Sequence, residues 1–211
     1  VTHVHVKYLC DQDHVHCCKI LLNPLASSKR VLRIGHHYFP RMLDVREMVT
    51  RAPRAHHGLT LAMCDRHKMP MDWDNGQLFC RKRVLDTLTK LGTDNNEYGD
   101  GRPLQNHGTV RYLDLLRKYA LIFHSKQVTA LDICLLAAYA VHYLRVWCMF
   151  IVNTEGFHLQ ENFISRQAFQ DLLICCHYAV NYIRMVRDYY PKCGFHLDRS
   201  GTDPCEHTFS K

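Results

Sequence analysis

The stretch VTALDICLLAAYAVHYLRVWCMFIV, residues 128–152, is the most apolar part of the chain and decides its fold class. Its length would just cross a bilayer. Asp132, His142 and Arg145 lie inside it, however, and each of these side chains is costly at membrane depth. The stretch therefore predicts the buried core helix of a globular domain, and no membrane is expected as a partner.

Helical patterns extend outward from this stretch in both directions. Apolar side chains recur at helical spacing in residues 39–49, 70–91, 109–123 and 162–190. Residues 92–108 are rich in Gly, Asn and Asp, which predicts a loop or a short insertion. From about residue 40 onward, the sequence therefore predicts an almost entirely helical body.

The start of the chain has a different pattern. Residues 2–9 alternate polar and apolar residues and predict a strand, which ends at Asp11 and Asp13. A helix is expected from about Asp13 to Asn23, because Pro24 stops it. Two carboxylates thus lie where a strand gives way to a helix, at a point where the strand end is rigid and the turn is open.

A second acidic segment lies at the far end of the chain, in GTDPCEHTFS, residues 201–210. Pro204 suits the first position of a helix. Asp203 and Glu206 are one helical turn apart, so both side chains can face a common site. A capping box explains the same residues without any site, and both interpretations stay open at this point.

The composition indicates a globular, basic protein, with 47% hydrophobic residues, 22% charged residues and a formal net charge of +7. Lys and Arg outnumber acids by nine to four over residues 1–60 and by eighteen to sixteen over the rest. This excess favours a polyanionic partner, although a solvated basic face would carry the same charges.

Eleven cysteines and sixteen histidines raise the question of zinc or disulfides. The pairs at 17–18 and 175–176 lie in apolar stretches, where thiols behave as small buried hydrophobes. No CxxC pair occurs, so we expect no structural zinc site and a reducing, intracellular environment. The GxGxxG, GxxxxGK[ST] and GxSxG motifs are also missing, which removes the usual dinucleotide, P-loop and hydrolase interpretations.

The order of these features resembles the catalytic domains of P-element-type transposases, the group that includes the THAP-domain transposase relatives. The family's Asp-Pro-Pro-His motif, with a later Lys and Asn, corresponds to Asp11-Gln12-Asp13-His14 with Lys19 and Asn23, although both prolines are replaced. Its second motif, with an Asp three residues before a Glu and then an aromatic residue, corresponds to Asp203, Glu206 and Phe209.

The resemblance implies a mainly α fold with a small α/β part, in which a partial RNase H-like fold is interrupted by a large helical insertion. We expect an RNase H-like portion at residues 1–35, the helical insertion domain at 36–193 and an RNase H-like return segment at 194–211. The family's first catalytic Asp would precede Val1, so the chain is expected to be a segment without nuclease activity of its own.

The resemblance also implies a chemistry, which is metal-dependent cutting and joining of DNA strands. Asp11, Asp203 and Glu206 would be catalytic, and these three with Asp13 would hold two Mg²⁺ (or Mn²⁺) ions. Such ions lie roughly 4 Å apart, stabilise the attacking and leaving oxygens, and prefer hard oxygen ligands such as carboxylates. The family's GTP is not carried over, because no nucleotide motif is present in this sequence.

The implied partner is DNA, both transposon ends and target, in the nucleus. Its phosphate backbone would contact four basic residues near the first acidic segment, which are Lys19, Lys29, Arg30 and Arg33. Homo-oligomer formation is left open. Two alternatives also remain: a domesticated, catalytically inactive relative that still binds DNA, and an unrelated helical interaction protein whose acidic segments are only caps.

Overall fold

The computed structural model describes residues 14–27, 29–65, 77–93, 105–192 and Leu197. The regular secondary structure in these ranges is helical, so the chain is mainly α, as the sequence predicted. The predicted strand at 2–9 lies outside the described residues. So do Asp11, Asp13 and the acidic segment that holds Asp203 and Glu206.

The α-helices of the described residues, in chain order, are α1 His14–Leu22, α2 Met42–Arg51, α3 Arg54–His57, α4 Lys82–Leu91, α5 His107–His124, α6 Ala130–Asn153, α7 Leu159–Asn162 and α8 Arg166–Tyr189. Short 3₁₀ turns occupy Asn23–Ala26 and Leu61–Cys64. Helix α6 packs against both α5 and α8, α1 packs against α5 and α8, and α4 packs against α2, α3 and α5.

Helix α6 begins at a capping box, in which the Thr129 and Asp132 side chains each accept the other residue's backbone N–H. One face of the helix is buried, through Ile133, Ala137, Ala140, Leu144, Trp147 and Ile151. The prediction of a buried core helix is correct for this face only, because just 28% of the most apolar window of α6 is buried. Within the described residues, α6 is also the helix long and apolar enough to cross a membrane by length and composition.

The segment that begins with α1 runs antiparallel to the segment that ends in α8. The Cys17 and Cys175 Sγ atoms are 3.8 Å apart, in the middle of α8. Further along the first segment, the Val31 backbone N–H donates to the Glu161 carbonyl at 2.9 Å, before α8 begins. Since the contacts advance along one segment as they recede along the other, the start of α1 lies toward the C-terminal end of α8.

Two predicted helices are interrupted. The helix predicted over 70–91 is broken at Cys80 and Arg81, where Arg81 is extended (φ −70°, ψ 138°), and α4 begins only at Lys82. This break lets Phe79 enter the core at 2% exposure while α4 buries its own apolar face.

The helix predicted over 162–190 begins only at Arg166, because the Ser165 side chain caps it by accepting the Ala168 N–H at 3.1 Å. Phe163 is therefore extended, and its ring packs against Trp147 with centroids 4.5 Å apart. The interruption thus lets the Phe163 ring enter the core, where a continuous helix would not have placed it.

The buried apolar side chains form one hydrophobic cluster, to which α1, α2, α4, α5, α6, α8 and Leu197 contribute. Residues on both sides of the predicted boundary at 35/36 contribute to it. The division into residues 1–35, 36–193 and 194–211 stays a prediction.

Candidate nucleic-acid interface

Two of the four predicted DNA contacts, Arg30 and Arg33, anchor the loop between α1 and α2. The Arg30 Nη1 donates a hydrogen bond to the Phe163 carbonyl at 2.8 Å. The Arg33 guanidinium lies over the Phe39 ring at 4.3 Å and the Phe157 ring at 4.9 Å, which is cation–π geometry. Both side chains are half-buried. These contacts fasten the loop to the segment before α8, so the two arginines already have structural roles.

The other two predicted contacts are more accessible. Lys29 is exposed, and its backbone N–H donates to the Ser27 Oγ at 3.2 Å. Lys19 is half-buried in the last turn of α1. A DNA role for these four residues stays a prediction, and Lys29 is the member whose exposure fits it best.

Two arginines of the basic region near α2 are neutralised by carboxylates. Arg41 contacts the fully buried Asp44 at 2.7 Å, and Arg51 contacts Glu47 at 3.1 Å. Asp44 also accepts a hydrogen bond from the Thr109 hydroxyl, which ties α2 to α5. Burial raises the pKa of the Asp44 carboxyl, against the opposing effect of these donors. Arg41 and Arg51 therefore stabilise the helix packing more than they add to the surface charge.

A second group of basic side chains lies where α3 packs against α4. We call it the α3–α4 cationic surface, and its members are exposed: Arg54, His56, Arg81, Lys82 and Arg83. The Thr87 hydroxyl lies between the two helices, 2.7 Å from the Arg83 carbonyl oxygen of its own helix and 3.3 Å from the His56 carbonyl oxygen of α3. The exposed Asp86 is the one acidic residue within α4. The surface therefore has a strong excess of positive charge.

The charges of this surface affect the pKa of the buried His57 side chain. Burial lowers the pKa of His57, and the charges of Arg83, His56 and Arg54 lower it further, while the hydrogen bond to Ala52 opposes the shift. Gly58 ends α3 with a left-handed backbone (φ +76°), and the Arg83 guanidinium lies where a Cβ would project. The cations from α3 and α4 thus converge around one buried, neutral imidazole.

The α3–α4 cationic surface was only partly found from the sequence, because Arg54 falls within the basic region at residues 1–60 but the run Arg81-Lys82-Arg83 does not. Three consecutive basic residues beside a helix start are a visible signal. The sequence predicted one continuous helix through this run, so it did not predict that the run lies at the break before α4.

The predicted metal ligands Asp11, Asp13, Asp203 and Glu206 lie outside the described residues, so nothing tests the metal site. Within the ranges that the structure covers, no group of three or more His, Cys, Asp or Glu side chains could hold a metal ion.

The cysteines in those same ranges are free thiols. The hydrogen bond with Cys175 and burial raise the pKa of the Cys17 thiol, so this thiol stays protonated. The pair joins α1 to α8.

Comparisons with protein-family models, with curated proteins and with solved structures gave no match to this chain. Any functional assignment therefore depends on the chain's own residues and on the motif resemblance.

Proposed function

We propose that this chain is a segment of a transposase-like DNA nuclease and strand transferase, with a partial RNase H-like fold interrupted by the helical body. Asp11, Asp203 and Glu206 are its catalytic carboxylates, and with Asp13 they hold two Mg²⁺ or Mn²⁺ ions. DNA is its partner, and the nucleus is its location. Since the resemblance puts a further catalytic Asp before this segment, the full site needs an upstream extension.

The observation that carries this proposal is the antiparallel course of the α1 and α8 segments. Asp11 and Asp13 directly precede α1 in sequence, and Asp203 and Glu206 follow α8. Because the start of α1 lies toward the C-terminal end of α8, the two acidic segments attach at the same end of this pair.

The chain also returns to the body after α8, which supports the same meeting of acidic segments. Leu197 lies in sequence between the end of α8 and the second acidic segment. Its side chain is 3% exposed and belongs to the hydrophobic core. The chain from Tyr189 to Glu206 can span up to about 55 Å when extended, a length that permits the meeting this proposal requires.

The α3–α4 cationic surface supports a role in holding the DNA backbone. Lys and Arg contacts to phosphates release counterions, so each contact makes log K fall by about 0.9 per tenfold increase in salt. Such contacts position the duplex without reading its sequence. The surface would therefore give salt-sensitive binding that is insensitive to base sequence.

The carboxylates would contribute the chemistry through their metals. Bound Mg²⁺ supplies stabilisation of the attacking and leaving oxygens of the phosphodiester. Asp11 and Glu206 would be oxygen ligands from the two acidic segments, and Asp203, three residues before Glu206 in sequence, would assist or orient.

Glu206→Gln in the upstream-extended protein tests this proposal. The amide keeps the shape of the side chain but removes the charge that a metal needs, so cleavage of labelled duplex in Mg²⁺ should fall by at least about a hundredfold. DNA binding should be unchanged within error. The matched control is Glu155→Gln, an exposed glutamate after α6, which should leave both activities unchanged.

Equal cleavage by the wild type and Glu206→Gln would refute the metal role. Binding without cleavage in the wild type, over a titration of Mg²⁺ and Mn²⁺, would favour the domesticated, inactive relative. The third alternative, a helical interaction protein, is favoured by a separate observation, the exposed face of α6.

A further inference from the structure

Helix α6 has two apolar faces, and only one of them is covered in the described structure. The covered face repeats at alternating steps of four and three residues. An opposite face repeats in the same way, and each of its members is exposed. We call this the exposed seam of α6, which consists of Leu131, Leu135, Ala138, His142, Arg145, Met149 and Val152. Alternating steps of three and four residues are the pattern by which one helix packs along another.

The exposed seam is large enough for a stable interface. Its four large apolar side chains are exposed by 60% to 68%, and the flanking Val146 and Tyr139 by 53% and 39%. Taking about 150–200 Å² for each side chain when fully exposed, these six expose roughly 600 Å². With the polar members added, the seam approaches the ~800 Å² per partner of a typical specific interface.

The polar residues at the centre of the seam argue against a bilayer as its cover. His142 and Arg145 are both exposed near the middle of the helix. An ionisable side chain at this depth in hydrocarbon is strongly unfavourable. A protein partner, in contrast, can leave the ends of both side chains at the edge of the interface or supply contacts for them.

One pair of seam residues and one pair that includes the flanking Tyr139 are placed symmetrically about His142, which favours a second copy in an antiparallel orientation. Leu135 and Met149 lie seven residues on either side of His142, and Tyr139 and Arg145 lie three residues on either side. A two-fold axis at His142 would therefore pair Leu135 with Met149 and bring Arg145 beside Tyr139, over whose ring the ammonium of the Lys118–Asp114 ion pair already lies at 4.1 Å.

A parallel arrangement lacks this complementarity, because it would set Arg145 against Arg145. Like charges that face each other in an interface are unfavourable. We infer that the exposed seam of α6 is the interface of an antiparallel homodimer with its two-fold axis at His142. The inference does not depend on the proposed function, since it uses no acidic segment and no DNA.

Light scattering coupled to size exclusion tests the dimer. The wild-type chain should give twice the 24.8 kDa mass of one copy, falling toward one copy on dilution. Leu135→Glu should give the single-copy mass, with an unchanged helical circular dichroism signal because Leu135 is on the surface. The matched control is Leu43→Glu on α2, since Leu43 and Leu135 are both 60% exposed, and it should remain dimeric.

Mixing two variants tests the antiparallel geometry. Leu135→Glu and Met149→Lys should each be monomeric alone, because each places two charges against apolar partners. Mixed in equal amounts, they should form a dimer, since one new glutamate then meets one new lysine and the second Leu135–Met149 pair stays apolar. A parallel dimer would show no such rescue.

Three outcomes overturn the inference: a monomeric wild type at high concentration, equal loss of mass in Leu135→Glu and Leu43→Glu, or no dimer on mixing. A monomeric wild type that floats with neutral phosphatidylcholine vesicles would assign the seam to a lipid surface. The circular dichroism signal of each variant separates loss of the interface from loss of the fold.

Discussion

Acidification should destabilise the fold through His57, a buried side chain whose two ring nitrogens are both bonded. Its Nε2 is 3.1 Å from the Ala52 carbonyl oxygen, and its Nδ1 accepts the Leu59 N–H at 3.0 Å. The ring is therefore neutral, with its proton on Nε2. A second proton on Nδ1 would face the Leu59 N–H, and breaking that bond in a buried site costs about 1–3 kcal/mol.

The sign of the effect follows from the lowered pKa of His57 in the folded state. Below the ordinary histidine pKa of about 6.5, the His57 imidazole binds a proton in the unfolded chain but stays neutral in the folded chain. The stability from this site is thus present above about pH 6.5 and is lost as pH falls toward the folded-state pKa. One proton contributes at most about 1.4 kcal/mol per pH unit, so we expect a loss of about 1 kcal/mol between pH 7.5 and 5.5.

Urea unfolding at pH 7.5 and pH 5.5 measures this loss. His57→Gln cannot titrate, so its free energy of unfolding should fall by about 1 kcal/mol less than that of the wild type over the same interval. Its absolute stability does not matter, because only the difference between the two pH values is compared. His177→Gln, at an exposed position on α8, should behave as the wild type does. An identical pH dependence in His57→Gln and the wild type would refute this reasoning.

Two further outcomes are expected. Gly108→Ala should destabilise the protein by about 1–3 kcal/mol in thermal or urea unfolding, because its Cβ would lie 2.6 Å from the Phe39 backbone N. Gly156→Ala is the control, because its Cβ would meet nothing within 4 Å. Only the left-handed backbone (φ +76°) should then lower the free energy of unfolding, by about 1 kcal/mol. Equal losses of stability in the two variants would contradict the close approach between Gly108 and Phe39. The double variant Arg54→Ala/Arg83→Ala should weaken duplex binding in fluorescence anisotropy and reduce its salt slope by up to about 0.9 per lost phosphate contact. Arg184→Ala, exposed on α8, is the control, and an equal effect there would point to diffuse charge.

The helices could be predicted from the sequence because their apolar spacing is local. The interruption before α8 could also have been predicted, since Ser165 is a good N-cap residue in front of an apolar repeat. The anchoring of Arg33 could not, because its partner Phe157 is distant in sequence and only the folded chain brings them together. The resemblance and the local charge therefore predicted a DNA contact for Arg33, whose guanidinium has cation–π contacts in the structure.

The burial of α6 shows what the spacing of apolar residues cannot predict. The sequence contains two seams with the same alternating spacing, and a pattern of apolar residues cannot say which one a neighbouring helix covers. In the described structure α5 and α8 cover only one of them. The polar members differ between the two: the buried face has none, whereas the exposed seam contains His142 and Arg145. A core seam excludes ionisable groups because burying them unpaired is costly, whereas an interface between copies can leave the ends of such side chains at its edge. Two of the three polar residues that argued against a membrane in the sequence, His142 and Arg145, therefore also favour a protein partner over a bilayer in the structure.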